Sequence, residues 1–136
     1  NFTLREIDGI PGALRELVME EDTLFAQYGM DYTLRGLKRY QKREGFHLYG
    51  LYGEERLLGM GSLLPVGDYQ RLDHIIVAKN CRGRGVGAAL VRGILNRAHS
   101  GVFLWAEGEG ARALYWKTGF RELPGQGMFA FGKEKN

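Results

Sequence analysis

The sequence predicts an α/β domain built on one mixed sheet, and three observations carry that prediction. Stretches with a two-residue apolar period alternate along the chain with stretches of helical period. The run Ile75-Ile76-Val77 is continuously apolar, as strands near the centre of a sheet are. The length of 136 residues, with 44% hydrophobic and 26% charged side chains, suits one globular domain spanning 1–136.

Phe2-Thr3-Leu4-Arg5-Glu6-Ile7 alternates apolar and polar, which predicts a first strand. Pro11 suits the first turn of a helix whose inner face carries Leu14, Leu17, Val18 and Phe25. Asp31 or Thr33 can cap a second helix through about Arg43, with Leu34, Leu37 and Tyr40 inward. Its other face carries Arg35, Lys38, Arg39, Lys42 and Arg43, read as a solvated face rather than a phosphate site. Phe46–Tyr52 and Arg56–Leu64 form a hairpin around Gly53-Glu54-Glu55, and Pro65-Val66-Gly67-Asp68 breaks the chain. Gln70–Ala78 is the central strand. Gly85–Ala98 is a helix, with Val86, Leu90, Ile94 and Ala98 four apart. Val102–Ala106 is a buried strand; Ala111, Leu114, Tyr115 and Thr118 keep helical spacing; Phe120–Leu123 and Met128–Gly132 close the sheet. The order is β-α-α-β-β-β-α-β-α-β-β.

Composition narrows the function. A net charge of +3 is too mild for a dedicated nucleic-acid binder, which concentrates its charge on one surface. No run of ~18 apolar residues predicts a membrane helix, and no basic-then-apolar leader is visible. The single cysteine, Cys81, excludes an internal disulfide and a multi-cysteine zinc site, so no metal is expected and a cytoplasmic setting fits. No Ser/His/Asp order suggests a hydrolase. His47 and His99 receive no role, Cys81 reads as packing rather than a nucleophile, and Trp105 and Trp116 read as packing.

The chemistry lies in Val77-Ala78-Lys79-Asn80-Cys81-Arg82-Gly83-Arg84-Gly85-Val86-Gly87-Ala88, where a buried strand ends and a glycine-rich turn opens a helix. Such a turn presents several backbone N–H groups at a helix N-terminus, where donors and dipole together favour phosphate. Arg82 and Arg84 add positive charge. The ATP-binding G-x-x-x-x-G-K-[S/T] string is absent, and G-x-G-x-x-G is not met, because Ala88 stands three after Gly85.

Arg82-Gly83-Arg84-Gly85-Val86-Gly87 resembles R/Q-x-x-G-x-G/A, the acetyl-CoA pyrophosphate loop of the GCN5-related N-acetyltransferases (GNAT family). About 30 residues on, Ala111-Arg112-Ala113-Leu114-Tyr115-Trp116-Lys117-Thr118-Gly119-Phe120 resembles that family's A-x-x-L-Y-x-K-x-G-F segment. The resemblance implies a mostly antiparallel central sheet flanked by helices, the acyl-CoA N-acyltransferase fold. It also implies acetyl-CoA as cosubstrate. Backbone amides of Arg82, Gly83, Arg84, Gly85, Val86 and Gly87, with Ala88 opening the helix, would hold the pyrophosphate. Ile76 and Val77 would meet the pantetheine arm in a V-shaped gap between the Gln70–Ala78 and Val102–Ala106 strands, with Tyr115 near the thioester sulfur. Three positions depart from the family: Gly108 where Asn is frequent, Cys81 where an aromatic residue is common, and Lys79-Asn80 where Pro is frequent. None removes the cradle, which is mostly backbone.

The expected reaction is acetyl transfer to a primary amine by direct attack in a ternary complex; the alternative is a regulatory module that binds acetyl-CoA without turnover. Tyr115 is the expected acid for the departing thiolate. Residues two apart in a strand share a face. Several members of that family place a base four or six positions before the residue matching Val77. The resemblance carries this to Asp73 or Arg71, of which only Asp73 can serve as a base, and Glu107 at the end of the next strand is next. His74 follows, on the opposite face unless a bulge intervenes. Glu20-Glu21-Asp22 and the aromatic residues of 25–32 would suit a cationic acceptor, small molecule or protein. A homodimer is compatible with a domain of this size; neither membrane nor nucleic acid is the expected partner.

Overall fold

A computed structural model describes residues 1–21, 27–106, 108–124 and 127–132. Its elements are β1 (Thr3–Glu6), α1 (Gly12–Glu21), α2 (Tyr32–Tyr40), β2 (His47–Gly53), β3 (Arg56–Val66), β4 (Tyr69–Val77), a 3-10 turn (Lys79–Cys81), α3 (Val86–Arg97), β5 (Val102–Trp105), α4 (Glu109–Lys117), β6 (Arg121–Glu122) and β7 (Met128–Phe131). This is the predicted order. The strands form one seven-stranded sheet, β1-β2-β3-β4-β5-β7-β6, antiparallel everywhere except between β4 and β5.

The core lies on both faces of the sheet. Val86, Leu90, Val91, Ile94 and Leu95 of α3 are buried on one face. Leu14, Leu17 and Val18 of α1 pack on β3 and β4 from the other, with buried Leu34 and Leu37 of α2 beside α1. Phe25 and the rest of 22–26 lie outside the described residues.

Local differences from the sequence reading have physical causes. The β2–β3 hairpin turns on Glu54-Glu55 alone, because Gly53 still pairs with Arg56. Both glutamates take positive φ, 51° and 66°, the backbone of a turn whose twist matches its strands. Pro65 does not break β3, which continues to Val66, with Pro65 opposite Gln70. The missing N–H costs nothing there. Gln70 directs its own N–H to Gly101 on the far side, so the pair is not hydrogen-bonded and Pro65 points its nitrogen toward β2. The β2 ladder has already ended at His47↔Leu63. Asp31 stands at the start of α2 without capping it; its carboxylate accepts from Arg35 Nε at 2.7 Å instead, which holds the acid below the usual carboxylate range.

Two features of β4 set up the site. Its ladder with β5 has only two pairs, Gln70↔Val102 and Arg71↔Phe103, so the strands splay from Leu72 onward. Its ladder with β3 slips between Ser62↔Asp73 and Met60↔Ile76: His74 and Ile75 stand against Gly61 alone. His74 absorbs the extra residue at φ 57°, in the left-handed region that a histidine rarely adopts. Gly61 makes room for it, since a Cβ there would meet the Cδ1 atoms of Ile75 and Ile94 at 2.5 and 2.6 Å.

Candidate active site

The glycine-rich turn runs from the 3-10 turn into α3. Gly83 and Gly85 sit at φ 80° and 78°, conformations that L side chains rarely adopt. Gly85 occupies the N-cap, and the first bond within the helix runs from the Ala89 N–H to Gly85 O. The amides of Val86, Gly87 and Ala88 therefore lack intrahelical acceptors and point out of the helix end with its positive dipole. A cleft of about 650 Å³ opens beside them, lined by Ile75, Val77, the turn, and Gly110, Ala111, Leu114 and Tyr115 of α4. Gly87 borders it between Leu114 and Val77, each about 3.6–3.8 Å from where a Cβ would stand, so a side chain there would fill the cleft. The residues present fit a phosphate with a narrow chain attached.

The strand edge matches this. Ala78 donates its N–H to Leu58 O, toward β3. Amide directions alternate along a strand, so Val77 turns its N–H and C=O toward β5, where β4 has no partner. Ile76 faces β3 with its backbone groups. Of the two residues expected to meet the arm, Val77 has its backbone on the gap.

Tyr115 closes the other end of the cleft, 7% exposed, edge-on to Phe120 at 5.6 Å and tilted against Phe129. Burial, aided by the negative charge of Asp73, pushes its phenol up to about 12. Glu107, the second expected base, lies outside the described residues.

The bulge reverses the facing expected for β4. Cross-strand partners share a face. Val77 pairs with Gly59, whose Cβ direction meets Leu90 of α3 at 3.3 Å, so Val77 faces α3. Asp73 pairs with Ser62, three residues from Gly59, and so faces the side of α1 and α2. The rule that residues two apart share a face holds only while the register does. His74 also joins the α2 side: its Nδ1 lies 2.8 Å from Ser62 Oγ, and its ring packs edge-on to Tyr40 at 5.7 Å. Asp73 Oδ1 accepts the His74 backbone N–H at 2.7 Å, and its Oδ2 lies 3.5 Å from Arg71. Burial pulls the His74 imidazole below its ordinary value, and Arg71 adds to the effect, although Asp73 opposes it.

Other expectations resolve in the same region. Arg82 and Lys79 both pair with Glu21 at the end of α1, whose side chain is only 9% exposed, and Glu20 lies 3.4 Å from the Lys79 N–H. Two of the carboxylates read as acceptor-facing thus brace the loop. Arg84 borders a neighbouring depression with Asn80 and Phe2. Cys81 is buried, as read, with its thiol donating to Asn80. Trp105 and Trp116 are not packing residues: they are 55% and 59% exposed and carry the guanidinium groups of Arg71 and Arg121 at 5.5 and 4.8 Å. Aromatic stacking on arginine needs only one ring face, so neither indole is buried. His47 finds Glu6 at 3.0 Å. Among the described residues, no cluster of metal-ligating side chains forms. Sequence reasoning missed Ser62; its signal was a lone hydroxyl inside Leu57-Leu58-Gly59-Met60-Gly61-Ser62-Leu63-Leu64, where a buried polar group must find a partner.

A family model for the acetyltransferase (GNAT) domain matches residues 44–122. The chain belongs to the GNAT acetyltransferase family. No curated protein matches it in sequence. Solved structures share its fold at low identity. A protein of Pyrococcus horikoshii OT3 superposes with a TM-score of 0.75 at 19% identity, covering 99% of this chain and 100% of that one. The ribosomal-protein-S18-alanine N-acetyltransferase of Escherichia coli gives 0.73 at 19%, covering 90% and 79%. A GNAT family acetyltransferase of Elizabethkingia anophelis, with acetyl-CoA bound, gives 0.68 at 19%, covering 89% and 76%. The mixed, mostly antiparallel GNAT fold expected from the two motifs is the fold observed. Among the described residues, no helix is long and apolar enough to cross a membrane.

Proposed function

We propose that residues 1–136 act as one N-acetyltransferase domain, moving the acetyl group of acetyl-CoA to a primary amine by direct attack in a ternary complex. One observation carries this reading. The unengaged amides of α3, the unpaired edge of β4 and the Tyr115 phenol converge on one cleft beside the β4–β5 splay.

Amides of the Arg82–Gly87 turn and of Ala88 hold the pyrophosphate. Val77 lies along the pantetheine arm, and its N–H donates to the oxyanion that forms on the thioester carbonyl. The arm enters from the α3–α4 face, so the amine comes from the opposite face, past Arg71, Asp73, His74 and exposed Trp105. An alkylamine with a pKa near ~10 arrives as ammonium and must lose a proton before attack. The bases available are Asp73, Glu107 and His74. Tyr115, held near 12, keeps its proton at neutral pH. Because the thiol itself has a pKa near ~8.5, passing that proton to the thiolate is uphill alone and proceeds in concert with transfer of the proton on the new amide nitrogen to the phenol oxygen.

The test is thiol release from acetyl-CoA with an amine panel: spermidine, tyramine and an alanine-initiated tetrapeptide. Turnover that Tyr115→Phe lowers while acetyl-CoA binding persists supports the enzyme. Acetyl-CoA binding with no thiol release on any amine supports the regulatory module instead.

A further inference from the structure

We propose that His74 is the general base of the reaction, held by Ser62 as the Nδ1–H tautomer so that Nε2 carries the lone pair that takes the proton of the acceptor ammonium. This rests on the acetyltransferase reading above.

The tautomer follows from counting hydrogens. Ser62 is fully buried, with no exposed surface, and has one hydroxyl hydrogen and two contacts. Its Oγ lies 3.1 Å from Asp73 O and 2.8 Å from His74 Nδ1. A carbonyl oxygen can only accept, and giving the one hydroxyl hydrogen to Asp73 O is the arrangement that makes hydrogen bonds of both contacts. The hydroxyl then has lone pairs for His74, and Nδ1 must bring the hydrogen. Once Nδ1 is the donor, the neutral ring has its basic nitrogen at Nε2.

The backbone supports the same assignment. A left-handed conformation at a residue with a Cβ persists only where its surroundings enforce it, and such sites cluster where chemistry is done. Here the φ of 57° is enforced from three sides. Asp73 Oδ1 holds the His74 N–H at 2.7 Å, Ser62 holds the ring, and Tyr40 lies edge-on to it. The Asp73 carboxylate is thereby a positioning group: one oxygen is occupied by the bulge and the other lies beside Arg71.

The charged and titratable groups around the imidazole are Asp73 and Arg71 on its own strand and the Tyr40 phenol on α2. Burial keeps the ring neutral below its ordinary value, so it is a free base at physiological pH. In the step, the ammonium N–H bond breaks and an Nε2–H bond forms, directly or through one water. The neutral amine then forms the C–N bond at the thioester carbonyl. The C–S bond breaks, and the thiolate takes the Tyr115 proton as the amide nitrogen returns one to the phenol oxygen. The imidazolium proton leaves to solvent.

Nitrogen-15 spectra of the labelled protein separate the tautomers of its three histidines. The expected result is a neutral Nδ1–H pattern for His74 that converts to Nε2–H in Ser62→Ala. In kinetics on whichever panel amine the wild type acetylates, His74→Gln should lower kcat/KM roughly 100-fold or more and remove the acid limb of the pH profile. Ser62→Ala should shift that limb while leaving acetyl-CoA binding unchanged. Calorimetric binding of acetyl-CoA by each variant shows that it is folded. An Nε2–H or charged His74 in the wild type overturns the proposal, as does an unaltered acid limb in His74→Gln. Acetyl-CoA binding without thiol release on any amine is the separate failure of the enzyme reading, and it takes the base with it.

Discussion

The Lys79–Ala88 turn and the Asp73–Ile75 bulge lie on one strand and its exit, yet they are built on opposite principles. The turn works with backbone: its donors are amides, its shape comes from left-handed glycines at 83 and 85, and its charge comes from a helix end. The bulge works with side chains borrowed from elsewhere: Ser62 from β3, Tyr40 from α2, and a carboxylate turned back on its own strand. Backbone function is written locally in the chain, whereas side-chain function at a bulge depends on the partner strand's register.

The two regions should fail differently. The largest effect belongs to the turn. Gly85→Asp puts a side chain at φ 78° and a negative charge among the amides, so acetyl-CoA affinity should fall more than ~100-fold. Its thermal stability should also fall, by about 1 kcal/mol, because φ 78° strains any residue with a Cβ even though nothing stands within 4 Å of the added atom. Equal affinity in the variant would mean that the turn holds no phosphate. Next comes Tyr115→Phe, which keeps the packing against Phe120 and Phe129. It should lower kcat by ~100-fold or more with acetyl-CoA binding intact, as read by thiol release.

The bulge makes a prediction about pH. His74 has its folded value below the ordinary 6.5, so between the two the unfolded chain binds more protons. Stability should therefore rise with pH through that window, be complete above 6.5, and be lost as pH falls toward the folded value. Urea melts of the wild type should show this slope, and His74→Gln should flatten it. Gly61→Ala forces a methyl against Ile75 and Ile94 and should cost about 1–3 kcal/mol. A loss of turnover larger than its loss of stability would locate the fault in the bulge. The smallest effect lies outside both regions. Arg112, paired with Glu122 at 2.6 Å but 41% exposed, should cost under ~1 kcal/mol when changed to Ala.

The same contrast explains what the sequence made legible. The element order follows from periodicity, and the phosphate turn follows from Arg82-Gly83-Arg84-Gly85-Val86-Gly87, because glycine spacing and strand-to-helix placement are local facts. The β4–β5 gap was legible only through family resemblance. His74 lies on the opposite face from Val77, as expected, but the facing of Asp73 relative to Val77 was not legible, since a one-residue slip opposite Gly61 reverses it and no residue of β4 announces the slip. Nor was the engagement of Arg82 by Glu21, a pairing across 61 positions that brings the end of α1 to the loop. The exposed tryptophans were misread for a related reason: composition gives their apolar area but not the arginines that stack on them.

The most direct test of the account is a calorimetric titration of the wild type and Gly85→Asp with acetyl-CoA. Saturable one-to-one binding that Gly85→Asp abolishes, with both proteins folded at the titration temperature, is the predicted result. A wild type that binds no acetyl-CoA, or a variant that binds it as tightly, would contradict the cradle and with it the acetyltransferase reading.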